Sequence, residues 1–162
     1  LVIYVLIKSA VITAMQVQVA DQIVAIPIAA VEEIVPLDHI RLHGFGGRNM
    51  VRIRERVLGV TDLGEAVGFG TSETPRNLAV VLQSGDESIA VTLDRVLGHQ
   101  EIVLEPIDAN LKSSAPLCGA TIRYDGRVCF VLDAGRIVSD HAAPADALAA
   151  MKDTEELADS AA

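Results

Sequence analysis

The sequence contains no tryptophan, and aromatic residues make up only 3% of its 162 residues. Hydrophobic residues nevertheless account for 51% of the chain, so the core must be built from Val, Ile, Leu and Ala. β-Branched side chains suit the pleated surface of a sheet better than the crowded surface of a helix. The composition therefore favours a β-rich fold, either one compact unit or two small subdomains that share a core.

Basic residues are also scarce, because 13 Lys and Arg stand against 22 Asp and Glu and give a formal charge of −9. Nucleic-acid binding depends on clustered basic side chains that release counterions from phosphates. Binding to an anionic membrane surface likewise depends on a polybasic patch. The charge balance argues against both kinds of partner.

Cysteine occurs twice, as Cys118 and Cys129, each within an apolar run. No secretory leader is recognisable, so we expect reduced core cysteines in a cytoplasmic protein rather than a disulfide framework. The apolar run at residues 1–7 ends at Lys8, far short of the roughly 20 residues that a membrane helix needs. We predict that residues 1–14 are the end of, or the linker from, an upstream domain.

Short apolar runs separated by turn residues predict consecutive β-hairpins along the rest of the chain. Strands are predicted at residues 15–19, 23–28, 50–54, 57–61, 78–83, 88–93, 101–104, 118–122 and 127–132. Residues 29–35 are predicted to form one or two helical turns, and residues 43–47 a glycine-rich loop. A short helix is predicted to follow Asp62, which would be its N-cap. A second short helix is predicted at residues 134–138. Residues 139–162 are predicted to form an acidic, solvated tail.

An internal repeat connects these elements. Residues 56–64 and 127–135 share the pattern Arg-Val-x-x-Val-x-Asp-x-Gly, 71 positions apart. The opening hairpins also agree, with residues 24–26 matching residues 89–91 and Val31 matching Val96. The order of these matches predicts a duplicated unit of hairpin, short helix and hairpin.

The duplication predicts halves at about residues 15–70 and 78–138. Small units of about five strands usually curl into closed barrels, because closure removes exposed strand edges. We therefore predict an all-β fold of two five-stranded barrels side by side, with short helices.

Two D-x-G motifs, at Asp62 and Asp133, suggest the paired carboxylates with which aspartic proteases activate water. Such proteases carry a hydroxyl residue after each Asp, whereas Leu63 and Ala134 stand here. Helix N-capping is the favoured interpretation, and a duplicated β-barrel hydrolase using Asp62 and Asp133 is the remote alternative.

Other candidate chemistry is weaker still. The histidines lie on different predicted loops without the close spacing of a zinc site; they are His39, His43, His99 and His141. The glycine-rich loop lacks the Lys and Ser or Thr of a phosphate-binding loop. We expect no catalytic residue, metal or cofactor in this chain.

Four segments form a further pattern when they are taken in order across residues 15–138. They are Ile26-Pro27-Ile28 with residues 31–35, Val51 to Leu58, Leu97 to Pro106, and Gly119 to Ile122 with residues 125–128. Together they resemble the CheW-like domain of bacterial and archaeal chemotaxis. Two members of that family are compatible: the free-standing coupling protein CheW and the C-terminal regulatory domain of the histidine kinase CheA. The apolar residues 1–7 are similar to the junction that precedes the kinase's regulatory domain, which favours the kinase.

The resemblance implies two tandem SH3-like barrels and a scaffold role without a cofactor. The implied partners are the CheW coupling protein and the cytoplasmic tips of chemoreceptors, with the kinase domains in cis. Aliphatic residues after the first hairpin, and at the equivalent place in the second, are the candidate partner-binding residues: Val31, Ile34, Val35, Leu37, Val96 and Leu97. The alternative is that these side chains simply plug the barrel ends.

Overall fold

The computed structural model describes residues 10–39, 42–45, 48–71, 76–107 and 115–142. Its strands are β1 (Ala10–Val19), β2 (Gln22–Pro27), β3 (Val31–Pro36), β4 (Leu42–Phe45), β5 (Arg48–Ile53), β6 (Arg56–Asp62), β7 (Leu78–Ser84), β8 (Glu87–Leu93), β9 (Arg95–Pro106), β10 (Leu117–Ile122) and β11 (Val128–Leu132). The helices are α1 (Leu63–Val67) and α2 (Ala134–His141), with 3₁₀ turns at Ile28–Ala30 and Leu37–His39. The apolar segment at residues 1–7 and residues 143–162 of the tail predicted at 139–162 lie outside the described residues.

Five strands form a closed barrel in the order β1-β2-β11-β10-β9, which we call the terminal barrel. Neighbouring strands are antiparallel except β11 and β2, which are parallel. The barrel has a small core of its own, made of Ala14, Ala25, Ile102, Cys129 and Val131. One of the two predicted five-stranded barrels is thereby confirmed.

The other strands form the central sheet, in the order β3-β7-β8-β6-β5-β4. In the terminal barrel, the single strand β9 pairs with both β1 and β10. In the central sheet, the equivalent position is divided between two strands, since β3 pairs with β7 and β4 pairs with β5. Pro36 and the 3₁₀ turn Leu37–His39 separate β3 from β4. The second unit therefore has six strands instead of the predicted five, since one strand is broken in two.

The two sheets exchange strands between the two halves of the sequence. The hairpin β1–β2 from the first half lies in the terminal barrel, and the hairpin β7–β8 from the second half lies in the central sheet. The architecture is thus interleaved, whereas tandem barrels over residues 15–70 and 78–138 would keep each hairpin in its own half.

The strand registers repeat in the two sheets. Val31 pairs with Leu82 in the central sheet, and Val96 pairs with Val17 in the terminal barrel. Val96 lies 65 positions after Val31, and Leu82 lies 65 positions after Val17. The parallel strand pairs agree as well. Gly59 pairs with Ile89 in the central sheet, and Phe130 pairs with Val24 at the equivalent position of the terminal barrel. The internal repeat predicted from the sequence is confirmed at the level of single residues.

A central core joins the terminal barrel to the central sheet. Its largest fully buried side chains come from both sheets and both helices: Met15, Ile26, Leu63, Leu82, Ile89, Leu93, Leu132 and Ile137. The helices begin as predicted, because Oδ1 of Asp62 accepts from the Glu65 amide and Oδ1 of Asp133 accepts from the Arg136 amide, each at 3.1 Å.

Three local predictions need correction. The predicted helical turns at residues 29–35 are the end of a 3₁₀ turn followed by β3, in which Glu33 and Val35 pair with β7. Residues 43–45 of the predicted glycine-rich loop belong to β4. The strand predicted at residues 101–104 is only part of a longer continuous strand, β9, which runs from Arg95 to Pro106.

A partly buried ionic cluster lies where the two sheets meet. Nε of Arg76 donates to Oδ2 of Asp62 at 2.5 Å, and its Nη1 donates to Asp94. The other Asp94 oxygen accepts from the amide of Ala20, in the β1–β2 turn, at 2.9 Å. Burial alone would lower the pKa of Arg76, but the hydrogen bonds to Asp62 and Asp94 outweigh it and raise that pKa. Arg76 lies in the segment between α1 and β7, which we call the connector. The cluster therefore links the connector and α1 to a turn of the terminal barrel.

We expect the repeated glycines Gly64 and Gly135 to respond differently to alanine. A Cβ on Gly64 would lie 2.1 Å from the Gly70 carbonyl oxygen, whereas one on Gly135 would meet nothing closer than Ser84 Oγ at 3.4 Å. Gly64→Ala should lower the free energy of unfolding by about 2 kcal/mol through overpacking. Gly135→Ala should be neutral or stabilise by up to about 1 kcal/mol through helix propensity. Urea unfolding measures both, and equal stabilities would contradict the packing described for Gly64.

Removing the Arg76 side chain should destabilise the fold markedly. Arg76→Met leaves Asp62 and Asp94 without their cation in a site where the arginine side chain is 11% exposed, so a loss of about 3 kcal/mol is expected. The control is Arg54→Met, whose side chain is 80% exposed in its ion pair with Glu33 and which should cost less than about 1 kcal/mol. Urea titrations with similar losses for both variants would rule out a structural role for the cluster.

Candidate protein-binding surfaces

The six candidate residues lie at two equivalent places, on β3 with the turn after it and at the start of β9. Four of them are partly buried: Val31 and Val96 against the central core, and Val35 and Leu37 against the core of the central sheet. Ile34 and Leu97 are exposed, at 42% and 41%. The structure thus divides the candidates into four packing residues and two that are available to a partner.

Ile34 borders a groove of about 310 Å³ on the central sheet. Residues of β3 form one wall, and Arg52, Ile53 and Arg54, at the end of β5, form the other. An ion pair of 3.1 Å between Arg54 and Glu33 crosses between the two walls. The groove is therefore lined by apolar side chains together with charged ones, which is the usual composition of a protein-binding site.

A row of exposed apolar residues on the terminal barrel was not predicted. Val11 pairs with Val103 across β1 and β9, and Ile122 pairs with Val128 across β10 and β11. Extending the β9–β10 register, in which Gly119 faces Pro106, places Ile122 beside Val103. We call these four residues the barrel row; their exposed fractions run from 50% to 69%. A contiguous exposed apolar row of this kind is typical of interaction surfaces.

One signal in the sequence could have revealed part of the barrel row. Val103 lies two residues from both Glu101 and Glu105, so strand alternation places all three side chains on one face. Ile102, the residue between Glu101 and Val103, is buried. Two flanking glutamates on the same face indicate that Val103 points to solvent.

The candidate catalytic aspartates make structural contacts. Asp62 caps α1 and binds Arg76, whereas Asp133 caps α2. These contacts are those of helix N-caps, and among the described residues no contact joins the two carboxylates. The favoured N-cap interpretation is confirmed.

The histidines occupy separate elements of the fold. His43 lies on β4 and His99 on β9, both exposed, while His141 lies in the last turn of α2; His39 lies in the second 3₁₀ turn. Within the described ranges no group of three or more His, Cys, Asp or Glu side chains has the arrangement of a metal site. None of the helices described is long and apolar enough to span a membrane.

Both cysteines belong to the core of the terminal barrel. Cys129 is fully buried and Cys118 packs beside the same cluster. Burial raises the pKa of the Cys118 thiol, and the Asp133 carboxylate raises it further. Burial also raises the pKa of Cys129, although the nearby Arg123 partly offsets it. Thiols of this kind are poor nucleophiles at neutral pH.

Comparison with known families identifies the fold. The family model of the CheW-like domain matches residues 13–142. The chain belongs to the CheW-like domain family, and the predicted resemblance is confirmed.

Known relatives are chemotaxis proteins. The chain is 28% identical over 134 residues to the sensor histidine kinase CheAY of Helicobacter pylori, with 80% of this chain and 16% of the relative covered. It is 30% identical over 134 residues to the chemotaxis protein CheA of Rhizobium meliloti, covering 80% and 18%. The chain thus spans less than a fifth of the length of these two relatives.

The fold also matches a solved structure, the scaffolding protein CheW of Thermoanaerobacter tengcongensis. The TM-score is 0.65 at 14% sequence identity, with 76% of this chain and 89% of that one covered. The likeness supports a shared CheW-like fold.

The raised thiol pKa values predict slow alkylation of the folded protein. Because the thiolate is the reactive form, iodoacetamide should modify Cys118 and Cys129 more slowly in the native chain than in urea. The native rate should keep rising with pH beyond the range in which the alkylation rate of ordinary thiols levels off. Mass spectrometry at a series of pH values measures both rates, and a native rate that already levels off near neutral pH would contradict the raised values.

Proposed function

We propose that the chain is the regulatory domain of a chemotaxis histidine kinase of the CheA type, which couples chemoreceptors and the CheW adaptor to the activity of the kinase. The observation that carries the proposal is that kinases of this type align with 80% of the chain. Such a domain does no chemistry itself and acts by holding partners, in the cytoplasm beside the receptor array. The kinase domains would then be partners in cis.

The free-standing coupling protein is the second candidate. It is supported by the structural likeness to a CheW scaffolding protein, of which this chain covers 89%. The encoding gene distinguishes the two candidates, because an ATP-binding kinase domain encoded upstream of Leu1 supports the first and contradicts the second.

The surfaces of the molecule suit a scaffold. The groove beside Ile34 lies on the central sheet, whereas Leu97 and the barrel row lie on the terminal barrel. Apolar surfaces on both sheets allow the domain to hold an adaptor and a receptor tip, with the adaptor contacting both the groove and the Leu97 end of the terminal barrel. The buried central core makes the two sheets one unit, so the partners would be held at a defined separation.

The proposal is tested by calorimetric titration of this chain with the CheW adaptor from the same cell. Saturable one-to-one binding is expected. A folded sample that gives no heat of binding at high concentration would contradict the regulatory-domain assignment.

Ile34→Asp should weaken adaptor binding at least about tenfold, because a charge replaces an exposed apolar side chain that lines the groove. The matched control is Gln83→Asp, which adds the same charge at an exposed position on β7 and should leave the Kd within about twofold. Calorimetry measures both variants after circular dichroism has shown that they are folded. Equal affinities for the two variants would remove the groove from the binding surface.

A further inference from the structure

The strands β3 and β9 carry β-bulges at equivalent positions of the repeat. On β3 the register shifts between Val31 and Glu33, and on β9 it shifts between Val96 and Gly98. The extra residue is Glu32 in the first case and Leu97 in the second. A bulge re-aims the side chain of its extra residue, so Glu32 and Leu97 occupy the same place in the two halves.

In the first half, the extra residue of the bulge, Glu32, has partners within the chain. The Glu32 carboxylate accepts from the guanidinium of Arg56, and its second oxygen accepts from the Ser88 hydroxyl at 3.2 Å. Arg56 begins β6, next to the β5–β6 turn. The first half therefore shows that an arginine at this point reaches a carboxylate at the bulge.

In the second half, the equivalent arginine is present, but no carboxylate stands at the bulge. Arg127 stands 71 positions after Arg56 in the shared motif, and Leu97 and Ile23 replace Glu32 and Ser88. Leu97 is 41% exposed. Arg127 is also exposed, and in the part of the chain that the structure describes its guanidinium has no acceptor. The repeat assigns Arg127 and Leu97 the places that Arg56 and Glu32 take in the first half, so among the described residues this position carries a cation without an acceptor, in a chain of charge −9.

We propose that Leu97 and Arg127 together form a partner site that takes a carboxylate and an adjacent aliphatic side chain from the CheW adaptor. The inference rests on the proposed function and specifies what chemistry the adaptor must present. The planar guanidinium fork can bind a carboxylate through two parallel hydrogen bonds, while Leu97 supplies apolar contact. The partner's carboxylate would stand where Glu32 stands in the first half.

Three variants test the site by calorimetric titration of the full chain with the CheW adaptor. Arg127→Gln removes the cation and should raise the Kd about tenfold, with the thermal midpoint unchanged because the side chain is exposed. Leu97→Glu rebuilds the internal pair of the first half, so it should raise the Kd at least about tenfold without lowering the thermal midpoint. Arg56→Gln is the matched control, because Arg56 is already paired internally, and its Kd should stay within about twofold.

The outcomes separate the site from the proposed function. If the unchanged chain binds the adaptor and Arg127→Gln binds equally well, the site is overturned and the proposed function stands. If Arg56→Gln weakens binding as much as Arg127→Gln, the effect is general electrostatics and the site is again overturned. If the unchanged chain does not bind the adaptor at all, the proposed function fails and the site with it.

Discussion

The apolar contact between the terminal barrel and the central sheet is the interaction on which the rest of the structure depends. Without tryptophan and with few aromatic residues, the chain must bury many aliphatic side chains to offset the entropy of folding. The central core does this by joining both sheets and both helices in one cluster. The hairpins β1–β2 and β7–β8 each lie in one sheet and contribute side chains to this common core. A non-directional contact of this kind does not itself set an angle between the sheets. The Arg76 cluster adds a directional link at one of the two places where the chain crosses over.

Sequence patterns predicted the local structure well where the physics is local. The turns and the two capping aspartates depend on residues close together in the chain, and each copy of the repeat is itself a short local motif. The helical turns predicted at residues 29–35 failed for a local reason as well. Exposure alternates along β3, but Ile34 points to solvent and Glu33 is half-buried against Arg54. The sequence therefore lacks the usual alternation of buried apolar and exposed polar residues, and Val31, Ile34 and Val35 imitate a helical period. The exchange of hairpins was beyond prediction, because periodicity identifies a strand but does not identify its neighbour.

The candidate surfaces were predictable only in part. The repeat indicated that each opening hairpin is followed by an equivalent segment. These segments are the strands β3 and β9, on which the exposed Ile34 and Leu97 lie. The barrel row escaped prediction because strands such as β10 and β11 are apolar on both faces, so hydrophobicity does not say which face meets solvent. The difference between the two halves was equally hidden. Matching Val31 with Val96 also matches Glu32 with Leu97, but only the strand registers show that both are the extra residue of a bulge, since a bulge leaves no fixed sequence signature.

The exchange of hairpins also governs the order in which the molecule can be assembled. During synthesis from the N-terminus, β1 and β2 leave the ribosome before any of their other partners in the terminal barrel has been made. That barrel closes through β9, β10 and β11, the last of which ends at Leu132. Pairing over such long sequence separations carries a large entropic cost and slows folding. The domain therefore reaches its native state only when almost all of it has been synthesised, and a chain cut in the connector would yield two pieces that must find each other before either sheet is complete.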